Sequence, residues 1–97
     1  MSRIGKKFEK LGGKTAFIGY ITAGDPSIET TKDLVLAMEK GGCDIVELGV
    51  PYSDPVADGP VIQAAAQRAL DNGVTVEKIF EVVSETCIWC RRSSIKL

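Results

Sequence analysis

Histidine is absent from this 97-residue sequence. That removes the commonest general base at neutral pH, any Ser–His or Cys–His nucleophile, and most catalytic zinc sites. Any chemistry must run on carboxylates, lysine, tyrosine or thiol. Charge of one sign is also missing, because 12 basic and 13 acidic residues lie scattered along the chain and leave a net charge of −1. Such a balance offers no electrostatic footprint for nucleic acid, and the one basic cluster is a short one near the C-terminus. No apolar run approaches the roughly 18 residues that a membrane helix needs. The opening stretch MSRIGKKFEK lacks the apolar core of about 7–15 residues that marks a secretory signal. A cytoplasmic protein with no membrane or nucleic-acid partner is expected. Cysteine is scarce and odd in number (Cys43, Cys87 and Cys90), which argues against a disulfide framework.

What remains is ordinary for a folded chain: 44% hydrophobic and 26% charged residues, enough for a single domain at most. Ile4, Phe8 and Leu11 at helical spacing predict a short amphipathic helix closed by Gly12-Gly13. TAFIGYIT (15–22), rich in β-branched and aromatic residues, predicts a buried strand that runs into the turn Ala23-Gly24-Asp25-Pro26. Ser27 is placed to cap the next helix, with Glu29 in its first turn and Thr31, Leu34, Val35 and Met38 along one face. DIVELGV (44–50) predicts a second strand. PYSDPVADGP (51–60), with Pro51, Pro55 and Pro60 among Asp54 and Asp58, excludes helix and ladder pairing and predicts an ordered loop. Two helices follow, over 60–72 and 74–86. Thr75 caps the second, and Ile79, Phe80 and Val83 form its buried face.

Strands alternating with amphipathic helices indicate an α/β fold with a parallel sheet. Neither strand is followed by the glycine-rich fingerprint of a dinucleotide fold. The N-terminal part of a (β/α)₈ barrel fits better: about two βα units plus an N-terminal helix, with long loops after the strand ends where such barrels place their sites. The expected domain covers 1–86, and residues 87–97 are expected to be a divergent tail, disordered or artefactual.

Glu47 is the most informative position. Alternation puts Val46, Leu48 and Val50 on one face of the second strand and Ile45, Glu47 and Gly49 on the other. With the aliphatic face under the helices, Glu47 points into the barrel interior near the carboxyl end of its strand. A carboxylate there is costly unless paired, and desolvation moves it toward the range useful for general acid–base work. Pairing with a basic residue elsewhere in the chain is the plainer alternative. Asp58, just before Pro60, is either the N-cap of the next helix or a second carboxylate brought back over the strand end. Asp25 and Asp54 read as turn residues. Tyr20, opposite in face to Phe17, is a candidate for the barrel mouth or a core aromatic. Gly13-Lys14-Thr15 lacks the earlier glycine of a phosphate loop, because Phe8 stands there. Cys87-Ile88-Trp89-Cys90 has neither a second cysteine pair nor a histidine to complete a zinc site.

YITAGDPS (20–27) and DIVELGVPYSDPVADGPVIQ (44–63), together with their spacing, closely resemble the signature segments of the tryptophan synthase alpha subunit family. The resemblance runs from about Phe8 to Thr86, roughly the first third of that family's barrel. It implies retro-aldol cleavage of indole-3-glycerol phosphate to indole and glyceraldehyde 3-phosphate. It makes Glu47 and Asp58 the catalytic pair and Tyr20 a residue of the indole pocket. The loop with Pro51 and Asp54 then contacts a beta subunit in an alpha2-beta2 tetramer. Pyridoxal phosphate belongs to that partner, and no cofactor is expected in the alpha-type chain. Two departures stand out. Gly19 replaces a proline common in the family, and CIWCRRSSIKL (87–97) replaces the family's third strand. The 97 residues alone are therefore expected to be an inactive fragment, or one that only binds the beta subunit.

Overall fold

The structure, a computed structural model, describes residues 3–52, 58–89 and 94–96, with backbone alone at 87–89 and 94–96. The element order is α1 (Arg3–Leu11), β1 (Ile18–Thr22), α2 (Ile28–Lys40), β2 (Ile45–Gly49), α3 (Pro60–Asp71), α4 (Val76–Trp89) and β3 (Ser94–Lys96). The strands form one parallel sheet in the order β1-β2-β3. Parallel neighbours need crossovers, and helices supply them: α2 between β1 and β2, then α3 and α4 between β2 and β3.

Local chemistry accounts for the element ends. Ser27 sits in extended conformation and its hydroxyl accepts from the Thr30 amide at 3.1 Å, which satisfies one free donor at the start of α2. Glu29 lies in the same first turn. Thr75 does the same for α4, accepting from the Lys78 amide at 3.2 Å. Asp44 caps nothing; its carboxylate instead accepts from the Phe17 amide at 2.8 Å and pairs with Lys7 at 3.2 Å, which ties α1 to the starts of both strands.

The core lies between the sheet and α2. Val35, Cys43, Val46 and Leu48 are buried together, with Ile21, Leu36, Met38 and Val83 packed around them. Full burial of a valine or leucine side chain is worth about 1.5–3 kcal/mol, so Val35, Val46 and Leu48 each stabilise the fold on that order. The cluster holds the predicted aliphatic face of β2 under the helices, as alternation requires.

Three expectations change. The first strand begins at Ile18 rather than at Thr15: the Phe17 carbonyl accepts from the Asp44 and Ile45 amides, but its own amide donates to the Asp44 carboxylate in place of a ladder carbonyl. Phe80 is 55% exposed, and Val82 takes its place beside Ile79 on the buried side of α4. The face turned toward α2 runs through Ile79, Val82 and Thr86 at helical spacing, which leaves Phe80 on the outer side. Third, the segment after Thr86 contributes the last turn of α4 to Trp89 and the strand β3, whose register sets Ile45 opposite Ser94 and Glu47 opposite Lys96. Cys90 lies outside the described residues.

Candidate functional site

The site is built at the carboxyl ends of β1 and β2. Their register pairs Ile18 with Ile45, Tyr20 with Glu47 and Thr22 with Gly49. Residues opposite each other in a sheet share a face, so Tyr20, Glu47 and Gly49 all lie on the side away from the core cluster. Glu47 is half-buried there, and Tyr20 is 45% exposed. The tyrosine leans across the neighbouring strand. A Cβ at Gly49 would fall on the Tyr20 hydroxyl and lie 2.9 Å from its Cε2. The phenol thus occupies the place of a side chain at 49, one step beyond Glu47 toward the open end of the sheet. The Ala23 amide extends the ladder past Thr22 by donating to the Gly49 carbonyl at 2.9 Å.

Asp58 sits where α3 begins, but it does not cap the helix. Gly59 is the N-cap and makes no side-chain cap bond, with Pro60 in the first turn. The capping alternative for Asp58 is therefore corrected: the residue is exposed, and its backbone carbonyl accepts from Gln63 Nε2 at 2.6 Å. One residue of offset decides the matter, since proline needs extended backbone before it and glycine takes that role without a side chain. Pro51 follows β2 directly and is half-buried. Asp54 lies outside the described residues. The sheet thus brings together Tyr20, Glu47 and Gly49, while Pro51 and Asp58 mark the two ends of the segment leaving β2.

Sequence reading treated Asp25 as a turn residue and passed over Arg68. In the structure the Arg68 guanidinium grips the Asp25 carboxylate through two bonds, Nε to Oδ1 and Nη2 to Oδ2, each 3.0 Å. Asp25 holds the arginine's pKa above its ordinary value, first by this hydrogen bonding and then by charge attraction. Asn72 adds a second tie, donating through Nδ2 to the Pro26 carbonyl. Gly24 adds a third by close approach. With φ at +91°, it sits where a Cβ would come within 2.8 Å of Val74 and 3.3 Å of Ala69. Arg68 lies 43 residues from Asp25, and no local spacing rule links them. Among the described residues no group of three His, Cys, Asp or Glu side chains could hold a metal, and no helix is long and apolar enough to cross a membrane.

Comparison with known proteins bears on this geometry. The profile of the tryptophan synthase alpha chain family matches residues 7–89. The tryptophan synthase alpha chain of Thermoanaerobacter sp. (strain X514) is 60% identical over 87 residues, covering 88% of this chain and 33% of the relative. That of Alkaliphilus metalliredigens is 62% identical over 85 residues, covering 86% of this chain and 32% of the relative. Among solved structures, tryptophan synthase subunit alpha from Legionella pneumophila superposes with a TM-score of 0.92 at 40% identity, over 98% of this chain and 37% of the other. A structure of tryptophan synthase from M. tuberculosis in ligand-free form gives 0.88 at 38% identity, over 98% and 39%. The chain spans about a third of the length of the curated relatives it matches.

Proposed function

The chain belongs to the tryptophan synthase alpha chain family, and from that premise we propose that it carries the reacting carboxylates of a carbon–carbon lyase acting on indole-3-glycerol phosphate. Glu47 protonates the indole ring carbon that bears the side chain and helps remove the proton of the adjacent hydroxyl. The carbon–carbon bond breaks, its electrons return to the ring, and indole and glyceraldehyde 3-phosphate separate. Asp58 contacts the ring N–H and stabilises the positive charge that ring protonation creates. Tyr20 lines the indole pocket. The observation that carries this reading is the placement of Glu47 beside Tyr20 on the sheet face opposite the core, at the carboxyl ends of parallel strands. Barrel enzymes put their chemistry at that end.

The segment that starts at Pro51 and includes Asp54 is, in this reading, the contact with a beta subunit. The pyridoxal phosphate would reside there, and the alpha-type reaction needs no cofactor of its own. As a separate polypeptide, residues 1–97 should turn over little substrate. Relatives are about three times longer, and substrate positioning draws on contacts remote from the reacting carbon.

The test is a chimera in which these residues replace the matching third of the Thermoanaerobacter chain. Indole release by the chimera should fall about 10²–10⁴-fold in Glu47→Gln, the range for loss of a general acid–base group. Asp58→Asn should also lose rate, while the 97-residue chain alone stays near background. A Glu47→Gln chimera with undiminished turnover would overturn the assignment.

A further inference from the structure

The ion pair between Asp25 and Arg68 lies outside the reacting groups, yet it joins the two segments that lead to them. Asp25 follows β1, the strand of Tyr20; Arg68 sits in α3, the helix that begins two residues after Asp58. We infer that Asp25 and Arg68 are a positioning pair that sets α3, and with it Asp58, against the carboxyl end of β1. This rests on the reading of Asp58 as a reacting carboxylate.

Three observations carry it. First, the face of α3 that is buried consists of Ala65, Ala66 and Ala69. Alanines bury little apolar area and leave a smooth surface, so packing alone resists sliding or rolling of the helix poorly. Second, the pair is a two-bond fork. A guanidinium gripping both carboxylate oxygens fixes direction as well as distance, which a single charge contact does not. Third, the pair is poorly placed to add stability. The Arg68 side chain is 58% exposed, and ion pairs this open contribute little to folding free energy. What such a pair can still supply is orientation. The carboxylate end is itself held, because Gly24 in the same turn donates to the buried Thr31 hydroxyl at 2.8 Å and Asp25 donates to the Thr22 carbonyl at 3.4 Å. At about 1.5 Å rise per residue, a straight α3 transmits a shift at Arg68 to the Asp58 junction about 13 Å away.

The experiment is a double-mutant comparison by NMR on the 97-residue chain, using Arg68→Met, Asp25→Asn and both together. Each single variant should shift the amide resonances of Asp58 and Gly59. Each should also speed exchange of the Gln63 amide about ten-fold or more, while β2 amides at Val46–Leu48 stay protected. The double variant should add nothing beyond either single, as for two residues acting through one contact. Arg68→Lys, which keeps charge without the fork, should shift the same resonances. Unmoved Asp58 and Gly59 signals, additive singles, or equal loss of protection in β2 and α3 would each overturn the proposal. None of these readouts uses lyase turnover, so failure here leaves the lyase reading standing, and failure of the chimera leaves this geometry to be judged by itself.

Discussion

At the scale of single residues, two glycines on neighbouring strands show how the same small substitution acts through different physics. A Cβ at Gly19 would run into Met38 Cε and come within 3.2 Å of Cys43 Sγ, both in or against the packed core. Gly19→Ala should therefore cost stability, about 1–2 kcal/mol after the flexible methionine gives way, read as a lower urea midpoint. A Cβ at Gly49 meets the Tyr20 phenol instead, and that ring is half-exposed rather than packed in the core. Gly49→Ala should leave the midpoint nearly unchanged and move the Tyr20 ring resonances. In the chimera, KM should rise more than kcat falls.

Asp44 gives the pH dependence at this scale. The Phe17 amide first and Lys7 second hold its carboxyl below the ordinary carboxylate value, against some desolvation. A folded pKa below the unfolded one stabilises the protein fully above about pH 4, and that contribution disappears as pH falls through the lower folded value. Urea midpoints at pH 7 and pH 3 should therefore converge more in Asp44→Asn than in the parent chain.

At the scale of elements, the buried hydroxyl of Thr31 joins a helix to the turn before it. Its Oγ1 accepts from the Gly24 amide and donates to the Ser27 carbonyl, each at 2.8 Å. Thr31→Val keeps the volume but leaves the Gly24 amide without its partner in a buried site. The expected cost is about 1–3 kcal/mol, measurable by thermal or urea unfolding. Faster exchange should be confined to the turn 23–27. The helix caps at Ser27 and Thr75 were readable from sequence because a capping hydroxyl acts within three residues of itself. Pro60 opens α3 where its sequence places it, but the cap is Gly59 and not Asp58, and the buried face of α4 takes Val82 in place of Phe80. The cap difference is local, since the residue before a proline must be extended, whereas the partner that selects the buried face of α4 lies on another element.

At the scale of the whole molecule, the sheet has three strands among the described residues, with β1 at one edge. Phe17 and Ile18 at the start of that edge are 65% and 49% exposed. An open edge with apolar neighbours is a template for pairing with another chain. The 97-residue chain should self-associate as its concentration rises, and Ile18→Lys should suppress this. Sedimentation velocity over a concentration series checks the prediction; an unchanged distribution would exonerate the edge.

The sequence by itself determined whatever depends on neighbours in the chain. Apolar periodicity fixed the alternation of strands and helices, and a strand period of two put Glu47 opposite Val46 and Leu48. The Pro/Asp-punctuated string from Glu47 to Pro60 was enough to identify the family. Only the tertiary structure decided which residues meet at long separation: the Tyr20–Glu47 register, the phenol filling the space at Gly49, the Arg68 fork on Asp25, and the third strand. The physical reason is range. Backbone preference and capping act over a few residues, whereas packing and ion pairing depend on which surfaces folding brings together.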